Sequence, residues 1–270
     1  MPFVTANNKR LFYTINRPVE TAKTILVFVH GLGSSSCFYQ TLIPNLSPDN
    51  CAIALDTYGS GMSKLTDGGA SEQSVASITK DVAGLLNALD VRERVVVVGH
   101  SMGGIIASSF AAAHPDAVQG VVLIGPVNPS AAMAEVFEKR IQVVQKDGLE
   151  ALAETVPTSA TGSASTALHH AFIRALILGT SPEGYASLCK VIATAAPPDY
   201  QSIKVPLLIL AGENDKTAPL AGCQAILESY GAPESEKQLE ILQGVGHWHC
   251  IENPDMVKVQ LSRFLKTVTR

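Results

Sequence analysis

Ser101 stands in "RVVVVGHSMGGIIASSF" (Arg94–Phe110), between Gly99 and Gly103, with four valines before it and a helix-like segment after it. The spacing is G-x-S-x-G. A strand that turns at once into a helix strains the serine backbone, and flanking glycines let strand and helix pack closely. Such a turn holds a hydroxyl out at the carboxyl end of a sheet and aims a backbone N–H at the same point. The chemistry this suits is nucleophilic attack on a carbonyl. The motif is short, so a strand–helix turn with an incidental serine is the competing explanation.

A serine hydroxyl is a weak nucleophile; it needs a base, and the base needs an orienting acid. "LLILAGENDKTAP" ends a strand-like run with Glu213 and Asp215, and "GVGHWHCIENP" later places His247 in a glycine-rich turn. Serine, acid, histidine is the chain order that such an elbow calls for. Asp215 is assigned as the acid and His247 as the base. The rivals are Glu213, closer to its strand, His249, where the chain enters a helix, and His100, directly before the serine. Asn128, after an earlier strand, is an amide and supplies no charge to an imidazolium. Glycines in "FVHGLGSSS" bring a second stretch of backbone close, so the Leu32 and Met102 N–H groups are the expected oxyanion donors. His30 reads as structural first and substrate-binding second. Trp248 reads as packing beside the site or touching substrate.

These groups need a scaffold. "TILVFVH", "CAIALD", "RVVVVGH", "VQGVVLIG", "VPLLILAG" and "KQLEILQG" read as strands buried on both faces, as in a parallel sheet. Helical patterns separate them, among them "SVASITKDVAGLLNALD" and a closing "PDMVKVQLSRFLKTV" with Asn253 as N-cap and Pro254 at the first position. The start, "FVTANNKRLFYTIN", reads as an antiparallel edge hairpin. The expectation is an α/β fold with a mostly parallel central sheet and helices on both faces. The rhythm breaks over residues 127–201, where four helical stretches and no strand occur. These are expected to form a helical cap on a core of residues 1–126 and 202–270. Arg174 is the cap residue assigned to an anionic substrate.

The bulk numbers exclude other classes. In 270 residues the formal charge is -4, which leaves no basic footprint for nucleic acid or a membrane surface. Five scattered cysteines argue against a disulfide framework or structural zinc. No membrane-length apolar run and no leader-like h-region is seen, so a cytoplasmic protein is expected. Adjacent His169 and His170 point in different directions along a helix, so no metal site is expected. "DGG" (Asp67–Gly69) reads as a turn.

Together "HGLG", "DTYGSGMS" (Asp56, Gly59, Gly61 and Ser63), "GHSMGG", "GENDKTAP" and "GHWHCIENP" resemble the α/β-hydrolase family, in its esterase–lactonase branch. "LGTSPEGYASLCKVIATA" is similar to the cap of 3-oxoadipate enol-lactonases. The resemblance implies cleavage of a small carboxylic ester or lactone through an acyl-enzyme on Ser101, without a cofactor, by a monomer or homodimer. A weaker likeness is to strigolactone-type receptor hydrolases, which cleave a butenolide slowly. A cofactor-free perhydrolase or C–C bond hydrolase would keep the same three residues. Serine in the elbow argues against epoxide hydrolases and haloalkane dehalogenases, which carry aspartate there.

Overall fold

Residues 2–66 and 73–268 are described in the computed structural model; the expected turn at Asp67–Gly69 lies outside them. The chain opens with β1 (Phe3–Ala6) and β2 (Lys9–Ile15), an antiparallel hairpin. Asn7 and Asn8 make its turn with φ of 51° and 61°, the pair of positive angles that a tight two-residue hairpin demands. The remaining strands are β3 (Thr24–Val29), β4 (Asn50–Leu55), β5 (Val95–His100), β6 (Val118–Ile124), β7 (Leu207–Gly212) and β8 (Lys237–Leu242). They form one eight-stranded sheet in the order β1-β2-β4-β3-β5-β6-β7-β8. Every pair from β4 to β8 is parallel, so only the hairpin end is antiparallel.

Strands β3 to β5 are buried throughout, as their unbroken Val, Ile and Leu runs require. β8 is not. It is the edge strand, and Lys237, Gln238 and Glu240 leave it half-buried at best except at Leu242. Its apolar content had suggested two covered faces; its charges mark one open side.

Helices α1 (Val75–Ala88), α2 (Met102–Ala113) and α9 (Pro254–Val268) flank the sheet. α9 turns Val257, Leu261, Phe264 and Leu265 inward, and Asn253 Oδ1 accepts the Met256 N–H at its start. Between β6 and β7 lie α3 (Ala131–Asp147), α4 (Glu150–Ser159), α5 (Ala167–Leu178) and α6 (Pro182–Ala193). α3 packs along α6 and α4 along α5. α4 runs on through Pro157, three residues further than "LEALAETV" suggested. After β7 come α7 (Leu220–Ser229) and the short α8 (His249–Glu252).

Register fixes where chemistry can occur. Val29 pairs with Gly99, Gly99 with Leu123, and Gly212 with Leu242. The loops after β3, β5, β6, β7 and β8 therefore leave one edge of the sheet together. Asp56 braces this edge: Oδ1 accepts the Ser36 N–H at 2.6 Å and Oδ2 the Met62 N–H at 2.8 Å. Among the described residues no helix is long and apolar enough to cross a membrane.

Candidate active site

Ser101 follows β5 with φ 55° and ψ −118°, a conformation that a non-glycine residue adopts only under constraint. The constraint is packing. A Cβ on Gly103 would lie 2.0 Å from the Val29 carbonyl oxygen, and one on Gly99 would lie 2.1 Å from the Gly103 oxygen. Strand and helix are thus closer than any side chain allows, which forces the turn at Ser101.

His247 Nε2 lies 2.9 Å from Ser101 Oγ, and His247 Nδ1 lies 2.8 Å from Asp215 Oδ2. Asp215 Oδ1 accepts the Thr217 and Ala218 N–H groups, each at 2.8 Å. Burial pushes the Asp215 carboxyl up, but the charge and hydrogen bond of His247, with His249 and the Ala218 N–H, outweigh it and hold the carboxyl below its ordinary range. An ionised Asp215 accepts the Nδ1 proton of His247. That leaves the Nε2 lone pair facing the Ser101 hydroxyl, the tautomer a base needs. The rivals stand elsewhere. Glu213 is exposed and accepts the Gly244 N–H.

His100 and His249 flank this line without joining it. His100 Nε2 and His249 Nδ1 both lie within 2.9 Å of the His247 carbonyl oxygen, so each donates an N–H to it. Burial, reinforced by neighbouring imidazoles, holds His100 well below its ordinary value; burial also lowers His249. His100 further stacks on Phe38 at 4.2 Å.

The β3 loop meets the serine through Gly31, where an added Cβ would touch Ser101 Cβ and His100 Nδ1, both at 2.8 Å. Leu32 shares a cavity with Ser101. Met102 begins α2, where N–H groups have no helical partner. Among the described residues neither the Leu32 nor the Met102 N–H has a protein acceptor.

His30 does not reach this cavity. Its Nε2 accepts the Thr57 N–H at 3.0 Å, so Nδ1 carries the proton and donates to the Gly31 oxygen at 2.7 Å. His30 thus ties β3 to the loop after β4 and is not among the residues that line the cavity. Arg174 is likewise absent from the cavity lining. It pairs with Glu154 at 3.0 Å on an exposed face of α5. Trp248 is buried and lines the cavity. His169 caps its own helix with Thr166, and His170 Nε2 lies 3.2 Å from Thr161 Oγ1.

The insertion closes the cavity from above with Phe137 and Arg140 of α3, Val156 of α4, Ile177 of α5 and Tyr185 of α6. The cavity measures about 80 Å³. Two residues here escaped the sequence reading. Arg140 lies three residues after Phe137 and four before Val144, both buried, so a cation on the apolar stripe of α3 was its signal. Glu252 is the other. Its Oε2 accepts the Gly246, Gly162 and Ser165 groups at 2.9, 2.6 and 3.0 Å, and Oε1 accepts the Trp248 N–H at 2.8 Å. Among the described residues no three His, Cys, Asp or Glu side chains group as a metal would require.

Comparison with known proteins accords with this layout. The family model for serine aminopeptidase, S33, matches residues 20–254. A 3-oxoadipate enol-lactonase of Acinetobacter baylyi is 27% identical over 241 residues, 87% of this chain and 86% of that protein. A 2-(acetamidomethylene)succinate hydrolase of Mesorhizobium japonicum is 23% identical over 93% of this chain and 91% of its own length. The crystal structure of an enol-lactonase from Burkholderia xenovorans superposes with a TM-score of 0.87 at 27% identity, covering 98% of this chain and all of that one (100%). The chain belongs to the serine aminopeptidase S33 family, within the α/β-hydrolases.

Proposed function

We propose that this protein is a serine hydrolase that cleaves small carboxylic esters or lactones through an acyl-enzyme on Ser101. The observation that carries the reading is the hydrogen-bonded line from Ser101 Oγ through His247 to Asp215, at 2.9 and 2.8 Å. His247 Nε2 takes the hydroxyl proton as Oγ bonds to the substrate carbonyl carbon. The Leu32 and Met102 N–H groups hold the oxyanion, each such donor contributing about 3 kcal/mol to the barrier reduction. The tetrahedral species collapses, the alkoxide leaves, and His247 returns the proton to it. Water then attacks the acyl carbon with His247 as base, which frees Ser101 and the acid. Asp215 keeps its charge throughout and holds the imidazole. No step calls for a cofactor. The helices α3 to α6 act as the cap that limits substrate size.

An ester or lactone fits better than a peptide amine. Among the described residues the cavity wall carries Arg140 and no Asp or Glu, which offers a free α-amino group no counter-ion. The names of the enol-lactonase and succinate hydrolase relatives support the same direction. The test is a panel of lactones and alkyl esters with wild type and Ser101→Ala, with intact mass to find the acyl adduct. Repeated turnover by wild type, an adduct on Ser101 and loss of both in the variant are expected. Full activity in Ser101→Ala would overturn the mechanism; a single stoichiometric acylation would favour a ligand receptor.

A further inference from the structure

Arg140 projects from α3 into the wall of the cavity that also holds Ser101 and His247. Its guanidinium carbon lies 5.2 Å from the Phe137 ring centroid, and its charge acts on the phenol of Tyr185 on α6. Two neighbouring cations of the insertion are matched with acids: Lys139 with Glu135 and Arg174 with Glu154. Among the described residues no carboxylate lies within ion-pair distance of Arg140. This half-buried guanidinium beside the Phe137 ring, without a protein counter-ion among the described residues, presents its positive charge to the cavity. An anion arriving there meets a stronger field than at the surface.

We infer that Arg140 anchors an anionic group of the substrate, so the preferred ester or lactone carries a free carboxylate a short spacer away from its reacting carbonyl. The inference rests on the ester or lactone reading above. Arginine suits the task because its planar fork matches a carboxylate in two parallel hydrogen bonds. Tyr185 adds a donor: burial pushes its phenol up to about 12, against the pull of Arg140, so its O–H stays protonated. Asp215 is not among the residues lining the cavity, and its carboxylate is engaged by His247 and two backbone N–H groups. A short spacer suits the site because Arg140 and Ser101 line one small cavity.

Matched substrates test this. Monomethyl succinate, glutarate and adipate are compared with methyl butyrate, pentanoate and hexanoate, each pair having equal acyl length and differing in one charge. The readout is the ratio of kcat/KM within a pair. Wild type is expected to favour at least one half-ester by about tenfold or more, and Arg140→Gln to bring that ratio near one, whatever its absolute rate. Arg140→Lys, which keeps the charge and loses the fork, is expected in between. Thermal melting of each variant checks the fold. A wild-type ratio near or below one for every pair, or the same ratio in Arg140→Gln, would overturn the anchor while leaving ester hydrolysis intact. If wild type turned over none of the six, the hydrolase reading would be at fault instead. Titration of glutarate into Ser101→Ala, with and without Arg140→Gln, then decides the anchor by itself: binding that requires Arg140 upholds it, and Arg140-independent or absent binding overturns it.

Discussion

The backbone N–H of His247 donates to the Ala160 carbonyl at 2.8 Å, joining the proposed base to the turn that follows α4. The helical insertion is thereby fastened to the loop that holds the imidazole. Glu252 doubles the fastening, because one carboxylate accepts from Gly246 and Trp248 on either side of His247 and from Gly162 and Ser165 beyond Ala160.

Glu252→Ala therefore removes several charge-assisted hydrogen bonds at once and leaves backbone donors without acceptors. The expected cost is about 2–3 kcal/mol of stability, read as a lower urea midpoint. Activity is expected to fall more in kcat than in KM, because the imidazole loses its setting while the cavity wall persists. Hydrogen exchange should speed up at the Gly162, Gly246 and Trp248 amides together. Faster exchange on one side only would mean that the two loops are held separately.

Asp215→Asn keeps the volume and an acceptor for the Thr217 and Ala218 N–H groups. It loses the charge that fixes the Nδ1–H tautomer of His247. A drop in kcat on the order of 10⁴ is expected, with little change in melting temperature. Kinetics on the best ester of the panel measure it. Glu213→Gln is the control, since Glu213 accepts from Gly244 and stays exposed. A larger loss in Glu213→Gln than in Asp215→Asn would move the acid.

Much of this was legible because local patterns carried it. The valine run of β5, the glycines at positions 99 and 103 and the order of the three polar residues each have a steric or chemical reason written in adjacent residues. The Asn253 and Pro254 pair marked the start of α9 in the same way. Other features depend on which helix faces which. Arg140 and Arg174 are both cations on helices of the insertion, and only the packing of α3 on α6 turns one toward the cavity. The open face of β8 was hidden because strand order, not composition, decides which strand lies at an edge. His100 and His249 looked like rivals for the base; their shared acceptor is a main-chain oxygen, which no side-chain pattern encodes.

Gly31→Ala tests the β3 loop. The new methyl would meet Ser101 Cβ and His100 Nδ1 at 2.8 Å, closer than van der Waals contact allows. The loop must withdraw and carry the Leu32 N–H with it. Loss of one oxyanion donor is expected to lower kcat on the order of 10². Strain of this size costs about 1–3 kcal/mol, so the protein still folds. Steady-state rates and a melting curve read the two effects separately. Unchanged kcat would remove Leu32 from the oxyanion site.

Acid should destabilise the fold well before its carboxylates titrate. Burial is the first cause that lowers His30, His100 and His249 from the ordinary value of 6.5, although Asp56 opposes it at His30 and Asp215 and Glu252 oppose it at His249. Each stays neutral when folded and takes a proton when unfolded. Below pH about 6.5 the unfolded chain thus binds more protons, and stability falls as pH falls. Above that value the contribution is fully present. Each histidine gives a slope of at most about 1.4 kcal/mol per pH unit, and the three together up to about 4. Asp215 acts in the same direction in a lower window, below its ordinary 3.8. Urea midpoints at pH 7, 6 and 5 measure the slope. His100→Gln, which cannot titrate and keeps an N–H for the His247 carbonyl, should flatten it by roughly a third. A midpoint that does not move between pH 7 and 5 would mean these imidazoles charge within the fold, against the burial that sets them.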